Sequence, residues 1–386
     1  MRILFFIGGL TTGGAERQIT LLANGLAQRG HKVTVVTIYS GGQYWEWLRN
    51  CGSVKLLSLF EKKTKKIVVT GWQLAWAAVR LRRIIKLENV TLTYSALNLS
   101  NLIAWFAVVG IRHVNLVWGS RASSTTLNWK DSLPFYLSGF LSFSVPLLIA
   151  NSQAGLGFFE ANRYKAKTHI VIPNGIDTDR YKFNHKGRIM LRDEWSVSES
   201  KTLIGLVGRL TPLKDHPTFL KAASLIAQER NDVCFVCVGD GKLKYRESLH
   251  RLSKELGLIN EIIWAGERTD MHNVYSALDI ATSSSYSEAF PNCVGEAMAC
   301  GVPCVVTDVG DSALIVDETG AVVIPRSPEQ LAESLLKIVN LNKNQRISMG
   351  QAARARIENN FSVASAVIAT EDALLKVSGK QTNVST

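Results

Sequence analysis

The sequence opens with a pattern that few folds can accommodate: a short apolar run, a glycine-rich turn, an amphipathic helix and a second apolar run. Residues 2–7 read RILFFI and residues 32–38 read KVTVVTI, and both runs predict buried strands. Between them, residues 15–29 repeat apolar side chains at helical spacing, and Gly30 follows as a helix-terminating glycine. Two strands joined through a helix pair in parallel, so the pattern predicts a parallel sheet.

The same alternation starts again in the second half of the chain. Strand-like runs separated by helical periods occupy residues 202–208, 233–239, 261–266, 279–285 and 304–309, and the last of them is expected to close the series. Residues 172–180 read IPNGIDTDR, which is rich in turn-forming residues and marks the join between the two series. The predicted fold class is therefore α/β, with two doubly wound, Rossmann-like parallel-sheet domains.

Positive charge is concentrated in the first half of the chain. Residues 1–175 contain 20 Lys and Arg against 6 Asp and Glu, whereas residues 176–386 contain 24 against 26. A basic half suits an anionic membrane surface, an anionic acceptor molecule or nucleic acid, or it is a solvated face without a specific partner. The sequence lacks a basic recognition helix, an aromatic RNA-binding strand pair and zinc-finger spacing, so no nucleic-acid partner is expected.

The cysteines and the apolar runs bear on metal sites and location. Cys234 and Cys237 form a C-x-x-C pair, but the surrounding VCFVCV predicts a buried strand and a matching second ligand pair is missing, so core packing and no metal site are expected. Residues 133–150 carry two prolines and predict a loop and a buried helix, not a membrane span. Without a signal-peptide pattern, we expect a cytoplasmic protein that can attach peripherally to the inner face of the cell membrane.

Residues 62–86 combine basic and aromatic side chains. In a helix, one face would carry the apolar residues Val68, Trp72, Ala75, Trp76 and Val79. The polar side and the ends carry Lys62, Lys63, Lys65, Lys66, Arg80, Arg82, Arg83 and Lys86. Two interpretations stay open: the helix lies in a membrane interface, or it packs its Trp face on the sheet.

Three glycine-rich or charged segments follow predicted strands. The first is GGLTTGGAE at residues 8–16, where glycines let the backbone approach a ligand and a following helix offers its amino end to an anion. The spacing is not G-x-G-x-x-G, which argues against a simple dinucleotide fold. A plain tight turn is the alternative.

The second segment, VGRLTPLKDHP at residues 207–217, places Arg209 and Lys214 just beyond a predicted strand. Ligands of open α/β sheets bind outside the carboxyl ends of the strands, and two cations there suit a diphosphate. A surface ion pair with Asp215 is the alternative.

The third segment, SEAFPNCVGEAMACG at residues 287–301, carries two carboxylates eight residues apart. Glu288 lies in a loop and can accept hydrogen bonds from sugar hydroxyls. Glu296 lies in a helix that opens near Pro291, and its carboxylate can accept the two hydroxyls of a ribose while the helix amino end meets phosphates. Exposed helical glutamates are common, but the apolar spacer AFPNCV makes this pair less ordinary.

Together these segments resemble the retaining glycosyltransferases of the GT-B fold, family four, also called glycosyl transferases group 1, over nearly the whole chain. The matching stretches are GGAE, the hinge-like VIPNGIDTDRY (171–181), the Arg209 and Lys214 pair, and the paired glutamates. The resemblance implies two Rossmann-like domains that face each other across a cleft. It implies an N-terminal acceptor-binding domain, residues 1–173 plus 362–386 with a crossing C-terminal helix, and a nucleotide-sugar-binding domain, residues 174–361.

The resemblance also implies a reaction. A nucleoside diphosphate, expected to be UDP, would leave the anomeric carbon, and a hydroxyl of a glycan or polyprenyl-diphosphate-linked acceptor would replace it with retained configuration, in bacterial polysaccharide or glycoconjugate synthesis. No cofactor and no metal are expected. Arg209 and Lys214 would stabilise the diphosphate, Glu288 would hold the donor sugar and Glu296 the ribose. The other residues expected at the donor are Gly13, Gly14, Glu16, Ala289, Phe290, Pro291 and Asn292.

One departure from the family concerns a histidine. Many relatives carry a His after a strand of the first domain, whereas residues 115–124 read NLVWGSRASS here. Arg121 occupies the expected place and is proposed as a site residue. An arginine cannot act as a base at neutral pH, so its role would be to bind charge.

Other readings of the two-domain pattern are a sugar epimerase or phosphorylase and an inactive scaffold. The paired glutamates and GGAE argue against the epimerase and the phosphorylase. The presence of Arg209, Lys214, Glu288 and Glu296 argues against loss of activity.

Overall fold

The computed structural model describes residues 1–61, 71–121 and 129–379. The chain divides into two compact units, one formed by Met1–Gly175 with Val363–Thr386 and the other by Ile176–Ser362. The division predicted from the sequence lies at residues 173–174 and 361–362.

The first unit is built on a seven-stranded parallel sheet in the order β3-β2-β1-β4-β5-β6-β7, within the described residues. Its strands are β1 (Arg2–Ile7), β2 (Lys32–Tyr39), β3 (Lys55–Phe60), β4 (Leu92–Ala96), β5 (Asn115–Ser120), β6 (Leu147–Ala150) and β7 (Thr168–Val171). Its helices are α1 (Gly14–Gln28), α2 (Gln43–Cys51), α3 (Gly71–Leu87), α4 (Asn98–Val108), α5 (Trp129–Leu141), α6 (Gln153–Ala161) and α15 (Val363–Val377).

Helices cover both faces of this sheet because its strands are apolar on both sides. On one face, α3, α4 and α6 bury side chains such as Leu81, Ile103 and Phe159 against the sheet. On the other face, α1 and the C-terminal helix α15 bury Ile19 and Leu374. The last helix therefore belongs to the first unit.

The second unit is built on a six-stranded parallel sheet in the order β10-β9-β8-β11-β12-β13 within the described residues. Its strands are β8 (Thr202–Val207), β9 (Val233–Val238), β10 (Ile262–Gly266), β11 (Ile280–Ser283), β12 (Cys304–Thr307) and β13 (Ala321–Val323). Its helices are α7 (His185–Glu194), α8 (His216–Glu229), α9 (Leu243–Glu255), α10 (Met271–Ala277), α11 (Asn292–Ala299), α12 (Ser312–Val316), α13 (Pro328–Val339) and α14 (Lys343–Asn360).

In each sheet the direction of strand addition reverses at one point. The reversal lies between β1 and β4 in the first unit and between β8 and β11 in the second. Open α/β sheets bind ligands beyond the carboxyl ends of the strands at such reversals. The segments at residues 8–16, 207–217 and 287–301 follow the carboxyl ends of β1, β8 and β11. Because β8 and β11 are neighbours in the sheet, the second and third segments lie close together.

Three expectations about the elements need correction. At residues 133–150 the predicted helix is present as the end of α5, but residues 147–150 form the strand β6, which periodicity alone could not distinguish from a helix over four residues. The second sheet continues past residues 304–309 to β13, whose three residues are too few for a periodic signal. The strand predicted at 279–285 ends at Ser283, and the next serines leave the sheet.

The expected core packing of Cys234 and Cys237 is confirmed, since both side chains are buried in β9. In α3, Ala77, Leu81 and Ile85 pack in the core, whereas Trp72 and Trp76 are 83% and 56% exposed. The interpretation that the Trp face packs on the sheet is therefore wrong. Val68 and the lysines at 62, 63, 65 and 66 lie outside the described residues. Within the described part of the chain, no helix is both long and apolar enough to cross a membrane.

Candidate active site

A lysine and a glutamate from neighbouring loops form the centre of the site in the second unit. Lys214 ends a 3₁₀ turn (Pro212–Lys214) beyond β8, and its ammonium lies 2.5 Å from Oε1 of Glu288, beyond β11. The two side chains are 21% and 14% exposed. Burial alone would lower the pKa of Lys214, but negative charge around it, including that of Glu288, raises this pKa above its ordinary value. Lys214 is therefore protonated at neutral pH.

Serines fix the loop that carries Glu288. The Ser285 hydroxyl donates to Oε1 of Glu288 at 2.7 Å, and the Thr307 hydroxyl donates to the Ser285 carbonyl at 2.5 Å. The Ser284 hydroxyl donates to the Lys214 carbonyl at 3.0 Å and so ties the two loops together. Sequence reasoning missed these serines because their run was assigned to the strand.

A glycine behind the same loop allows its close packing. Gly310 has φ +57°, and a Cβ at this position would lie 2.4 Å from the Glu288 carbonyl oxygen. The neighbouring Asp311 amide donates to the Ala289 carbonyl at 2.9 Å. Any side chain at residue 310 would therefore push the Glu288 loop away. A glycine after the apolar run CVVTDV was the available sequence signal.

The second glutamate is held by a buried tyrosine. Glu296 lies in α11 and is 5% exposed, and the hydroxyl of Tyr275, from α10, donates to its Oε2 at 2.8 Å. Burial and the nearby Glu296 charge raise the pKa of Tyr275 well above its ordinary value, so the phenol keeps its proton. Tyr275 was not foreseen, because only tertiary contact brings it to Glu296.

Cys293 lies among these charges at the start of α11. Burial raises the pKa of its thiol, Lys214 acts to lower it, and Glu288 and Glu296 act to raise it. The net effect is a raised pKa, so the thiol stays neutral. The three predicted site residues Lys214, Glu288 and Glu296 are thus close enough to influence one side chain.

Arg209 lies between β8 and the Lys214 turn, and its side chain is exposed. The positive charge of Arg209 acts to lower the pKa of Lys214, less than burial lowers it. The alternative of an ion pair between Lys214 and Asp215 does not fit, because Lys214 contacts Glu288 while the Asp215 carboxylate accepts from Thr218 at 2.7 Å.

The residues between the two glutamates have different environments. Ala289 and Asn292 are partly exposed, and Pro291 is the buried N-cap of α11. Phe290 is 5% exposed and contacts Phe361 in the core with ring centroids 5.9 Å apart. The loop therefore turns this side chain toward the core, and the expected place of Phe290 at the donor stays a prediction.

In the first unit, α1 begins at Gly14 after the N-cap Gly13. The Glu16 carboxylate folds back so closely that a Cβ on Gly13 would lie 2.0 Å from its Oε2. A side chain at residue 13 would have to displace the flexible end of Glu16, and the amino end of α1 already faces a negative side chain.

Arg121 follows β5 directly, and its Nη1 donates to Oδ1 of Asn174 at 2.5 Å. Around it, the Arg121 Nε, the Ser120 Oγ and the Asn151 Oδ1 are buried and have no hydrogen-bond partner among the residues that the structure describes. Ser120 is the last residue of β5 and Asn151 follows β6, so both lie at the carboxyl edge of the sheet. Unpaired buried polar atoms at this edge suit a polar ligand. Asn151 and Asn174 were not foreseen, although each follows an apolar run.

Comparison with known proteins finds glycosyltransferase families and similar two-sheet structures. Residues 12–180 match the family model "Glycosyltransferase Family 4", and residues 201–340 match "Glycosyl transferases group 1". Among solved structures, Anabaena HepE in complex with UDP and glucose is similar, with a TM-score of 0.81, 23% identity, and coverage of 97% of this chain and 99% of that one. This likeness, with the two Rossmann-like sheets, confirms the predicted fold class.

Two curated relatives illustrate the sequence similarity. The putative glycosyltransferase EpsF of Bacillus subtilis is 25% identical over 187 residues, 48% of each chain. The UDP-Gal:alpha-D-GlcNAc-diphosphoundecaprenol alpha-1,3-galactosyltransferase of Escherichia coli is 27% identical over 211 residues, 52% of each chain. The chain thus spans about half the length of the curated relatives it matches. The two family models match consecutive parts of the chain and together cover most of it. This chain therefore belongs to the group 1, family 4 glycosyltransferases.

Proposed function

We propose that this protein transfers a sugar from a nucleoside-diphosphate sugar to a glycan or lipid-linked acceptor, with retained configuration at the anomeric carbon. The observation that carries the proposal is the contact between Lys214 and Glu288 at the strand reversal of the second sheet. A cation and a carboxylate side by side suit a ligand that joins an anionic diphosphate to a hydroxyl-rich sugar.

In the proposed reaction, the bond between the anomeric carbon and the diphosphate oxygen breaks, and a bond to the acceptor oxygen forms. The acceptor proton leaves with the nucleoside diphosphate. Lys214 and Arg209 stabilise the charge that develops on the leaving diphosphate, and Glu288 accepts hydrogen bonds from the donor sugar. Such electrostatic stabilisation is commonly the largest contribution to rate, about 100- to 1000-fold for one donor.

Glu296 is the proposed ribose ligand. A ribose diol offers two hydroxyl donors, and a carboxylate can accept both. Tyr275 already donates to one oxygen of Glu296, at 2.8 Å. This hydrogen bond orients the carboxylate before the nucleotide arrives, which lowers the cost of ordering it on binding.

We propose UDP as the nucleotide and a lipid-linked or glycan acceptor, in surface polysaccharide or glycoconjugate synthesis. HepE holds UDP and glucose in its complex, and the E. coli relative is named for UDP-Gal and a diphosphoundecaprenol-linked acceptor. These names support the choice of uridine and of a lipid-linked acceptor. The basic first unit, with Arg121 at the carboxyl end of β5, is the proposed acceptor side, at the cytoplasmic face of a membrane.

We propose that transfer needs no metal and no cofactor, because Arg209, Lys214 and the amino end of α11 can together offset the diphosphate charge. The experiment measures release of nucleoside diphosphate and labelled sugar transfer to extracted lipid acceptors, with and without EDTA. NMR of the product reports the anomeric configuration. Transfer that survives EDTA and retains configuration supports the proposal. Dependence on added divalent metal, inversion, or no transfer from any nucleotide sugar contradicts it.

A further inference from the structure

The second unit contains an open cavity that is lined by basic side chains. The cavity has a volume of about 640 Å³ and lies between residues 180–186 and the start of α10. The ionisable side chains that line it are Arg180, Lys182, His185, Lys186 and His272. Among the residues that the structure describes, no Asp or Glu lines this space. We call it the basic cavity.

The fold leaves the cations of the basic cavity without carboxylate partners. Residues 180–192 contain five Lys and Arg and no Asp or Glu. The two arginines of α7 each lie 3.0 Å from the Asp279 carboxylate. The other three cations, Arg180, Lys182 and Lys186, form no ion pair with a carboxylate in the described part of the chain. A concave surface lined by one sign of charge attracts ions of the opposite sign.

Hydrogen bonds fix both walls of the basic cavity. The Asn184 side chain accepts from the Gly187 amide at 3.2 Å and donates to Oδ1 of Asn273 at 2.9 Å. The Asn184 amide donates to the Ser276 hydroxyl at 2.9 Å. A Cβ at Gly187 would lie 2.1 Å from Oδ1 of Asn273, so α7 and α10 are in close contact. The cations therefore extend from a backbone that is already ordered, which lowers the cost of binding a ligand.

We propose that the basic cavity binds a small molecule that carries a phosphate group. An arginine can donate to two phosphate oxygens at once, and a lysine adds a compact charge. Three cations offset a phosphate dianion, whereas a single carboxylate needs only one. The cavity is as large as sites for organic ligands, and the half-exposed ring of Phe183 lines it. The ligand class is therefore a phosphorylated organic molecule, either a sugar phosphate or a nucleotide.

The basic cavity is separate from the proposed donor site. None of the four charged residues proposed for the donor in the second unit lines it. A buried contact connects the two places, because the rings of Tyr181 and Tyr275 lie 6.0 Å apart and Tyr275 donates to Glu296. The inference goes beyond the proposed function and does not depend on it, and binding is measured with the donor site both empty and filled.

The test is calorimetry of the protein with inorganic phosphate, ribose 5-phosphate and AMP, at low and high salt, with and without saturating UDP. These probes share the phosphate and add first a sugar and then a base. One variant is Arg180→Ala, and a second combines Lys182→Glu with Lys186→Glu. The matched control combines Lys221→Glu with Lys254→Glu, which changes the net charge equally at two exposed lysines of α8 and α9. Melting temperatures show that each variant is folded.

We expect the wild type to bind at least one organic phosphate in the presence of UDP, more weakly as salt screens the charges. A hydrogen bond to a charged group contributes about tenfold or more to an equilibrium constant. Arg180→Ala should therefore weaken binding by about tenfold and the double variant by at least about 100-fold, whereas the control should bind like the wild type. Tighter binding of AMP than of ribose 5-phosphate identifies a nucleotide, and the reverse order or equal binding identifies a sugar phosphate.

Three results would overturn the inference. The first is that the wild type binds none of the probes at low salt. The second is that the control loses as much affinity as the double variant, because the effect would then come from net charge alone. The third is binding that UDP abolishes and that both cavity variants leave unchanged, which would place the probes in the donor site. If UDP itself does not bind, loss of probe binding in the double variant alone still supports the basic cavity.

Discussion

The ammonium of Lys214 and the carboxylate of Glu288 lie 2.5 Å apart, although 74 positions separate them in the sequence. The two loops meet because β8 and β11 are neighbours at the point where the sheet reverses its order. In the free protein the two charges neutralise each other. We therefore propose that an incoming diphosphate sugar takes over both partners, the phosphate replacing the carboxylate at Lys214 and sugar hydroxyls replacing the ammonium at Glu288.

Replacement of either partner should reduce catalysis strongly. Lys214→Ala and Glu288→Gln are each expected to lower kcat/KM by about 100- to 1000-fold, since each removes a charge that meets the ligand. Steady-state transfer kinetics measure the effect. The matched control is Lys337→Ala, because Lys337 also pairs with a glutamate but both side chains are exposed. Near wild-type rates in either site variant would remove the pair from the mechanism.

The Tyr275 hydroxyl is expected to matter for nucleotide affinity. Tyr275→Phe deletes the hydrogen bond to Glu296. A hydrogen bond to a charged group contributes about 10-fold or more to an equilibrium constant. Calorimetry should show UDP binding weakened by about tenfold, and the KM for the donor should rise more than kcat falls.

The control for Tyr275 is Tyr164→Phe. Tyr164 is also buried, and its hydroxyl donates to the Phe135 carbonyl at 2.8 Å in the first unit. This variant should lose stability without losing UDP affinity. Equal UDP affinity in Tyr275→Phe and the wild type would show that the hydroxyl only supports packing.

His216 should make stability sensitive to mild acid. It is fully buried at the start of α8, and burial followed by the charge of Lys214 lowers its pKa to about 4. Neither ring nitrogen has a hydrogen-bond partner among the residues that the structure describes. Because the unfolded chain takes up the proton more readily, stability is complete above about pH 6.5 and falls by up to about 3 kcal/mol as the pH approaches 4.

Melting temperatures between pH 7.5 and 4.5 measure this dependence. His216→Leu should flatten the curve relative to the wild type, whereas His185→Gln, at an exposed histidine of the same unit, should leave its shape unchanged. Parallel curves for His216→Leu and the wild type would mean that protonation of His216 does not couple to unfolding.

Arg121 is expected to bind charge on the acceptor side. Arg121→Ala should lower turnover by about tenfold or more, because it removes a charged hydrogen-bond donor at the carboxyl end of β5. Arg49→Ala is the control, since Arg49 is 71% exposed on α2 of the same unit. Unchanged turnover with Arg121→Ala would show that the assignment is wrong.

Much of the fold could be predicted from local sequence patterns. The predicted run at residues 2–7 coincides with β1, and α1 (Gly14–Gln28) begins and ends within one residue of the helix predicted at 15–29. An apolar run and apolar periodicity closed by a glycine are local signals, and β1 has the first whereas α1, followed by Gly30, has the second. The edge strand β13 and the short strand β6 were missed because neither is long enough to repeat a pattern.

Only part of the site could be predicted from the sequence. Parallel-sheet topology predicted that Lys214 and Glu288 would follow the carboxyl ends of strands, and the structure brings them into contact. The contributions of Tyr275, Ser285 and Gly310 depend on contacts between elements that are distant in sequence. The inward orientation of the Phe290 side chain also depends on such a contact, here with Phe361.

The donor site is tested most directly by the melting shift of the protein with UDP, GDP and ADP and their sugars. A ligand at 100 times its Kd stabilises the folded state by about 2.7 kcal/mol, which raises the melting temperature measurably. We expect a shift with UDP and UDP-sugars that is lost in Glu296→Ala and in Arg209→Ala combined with Lys214→Ala. No shift with any nucleotide, or a shift that survives these substitutions, would contradict it.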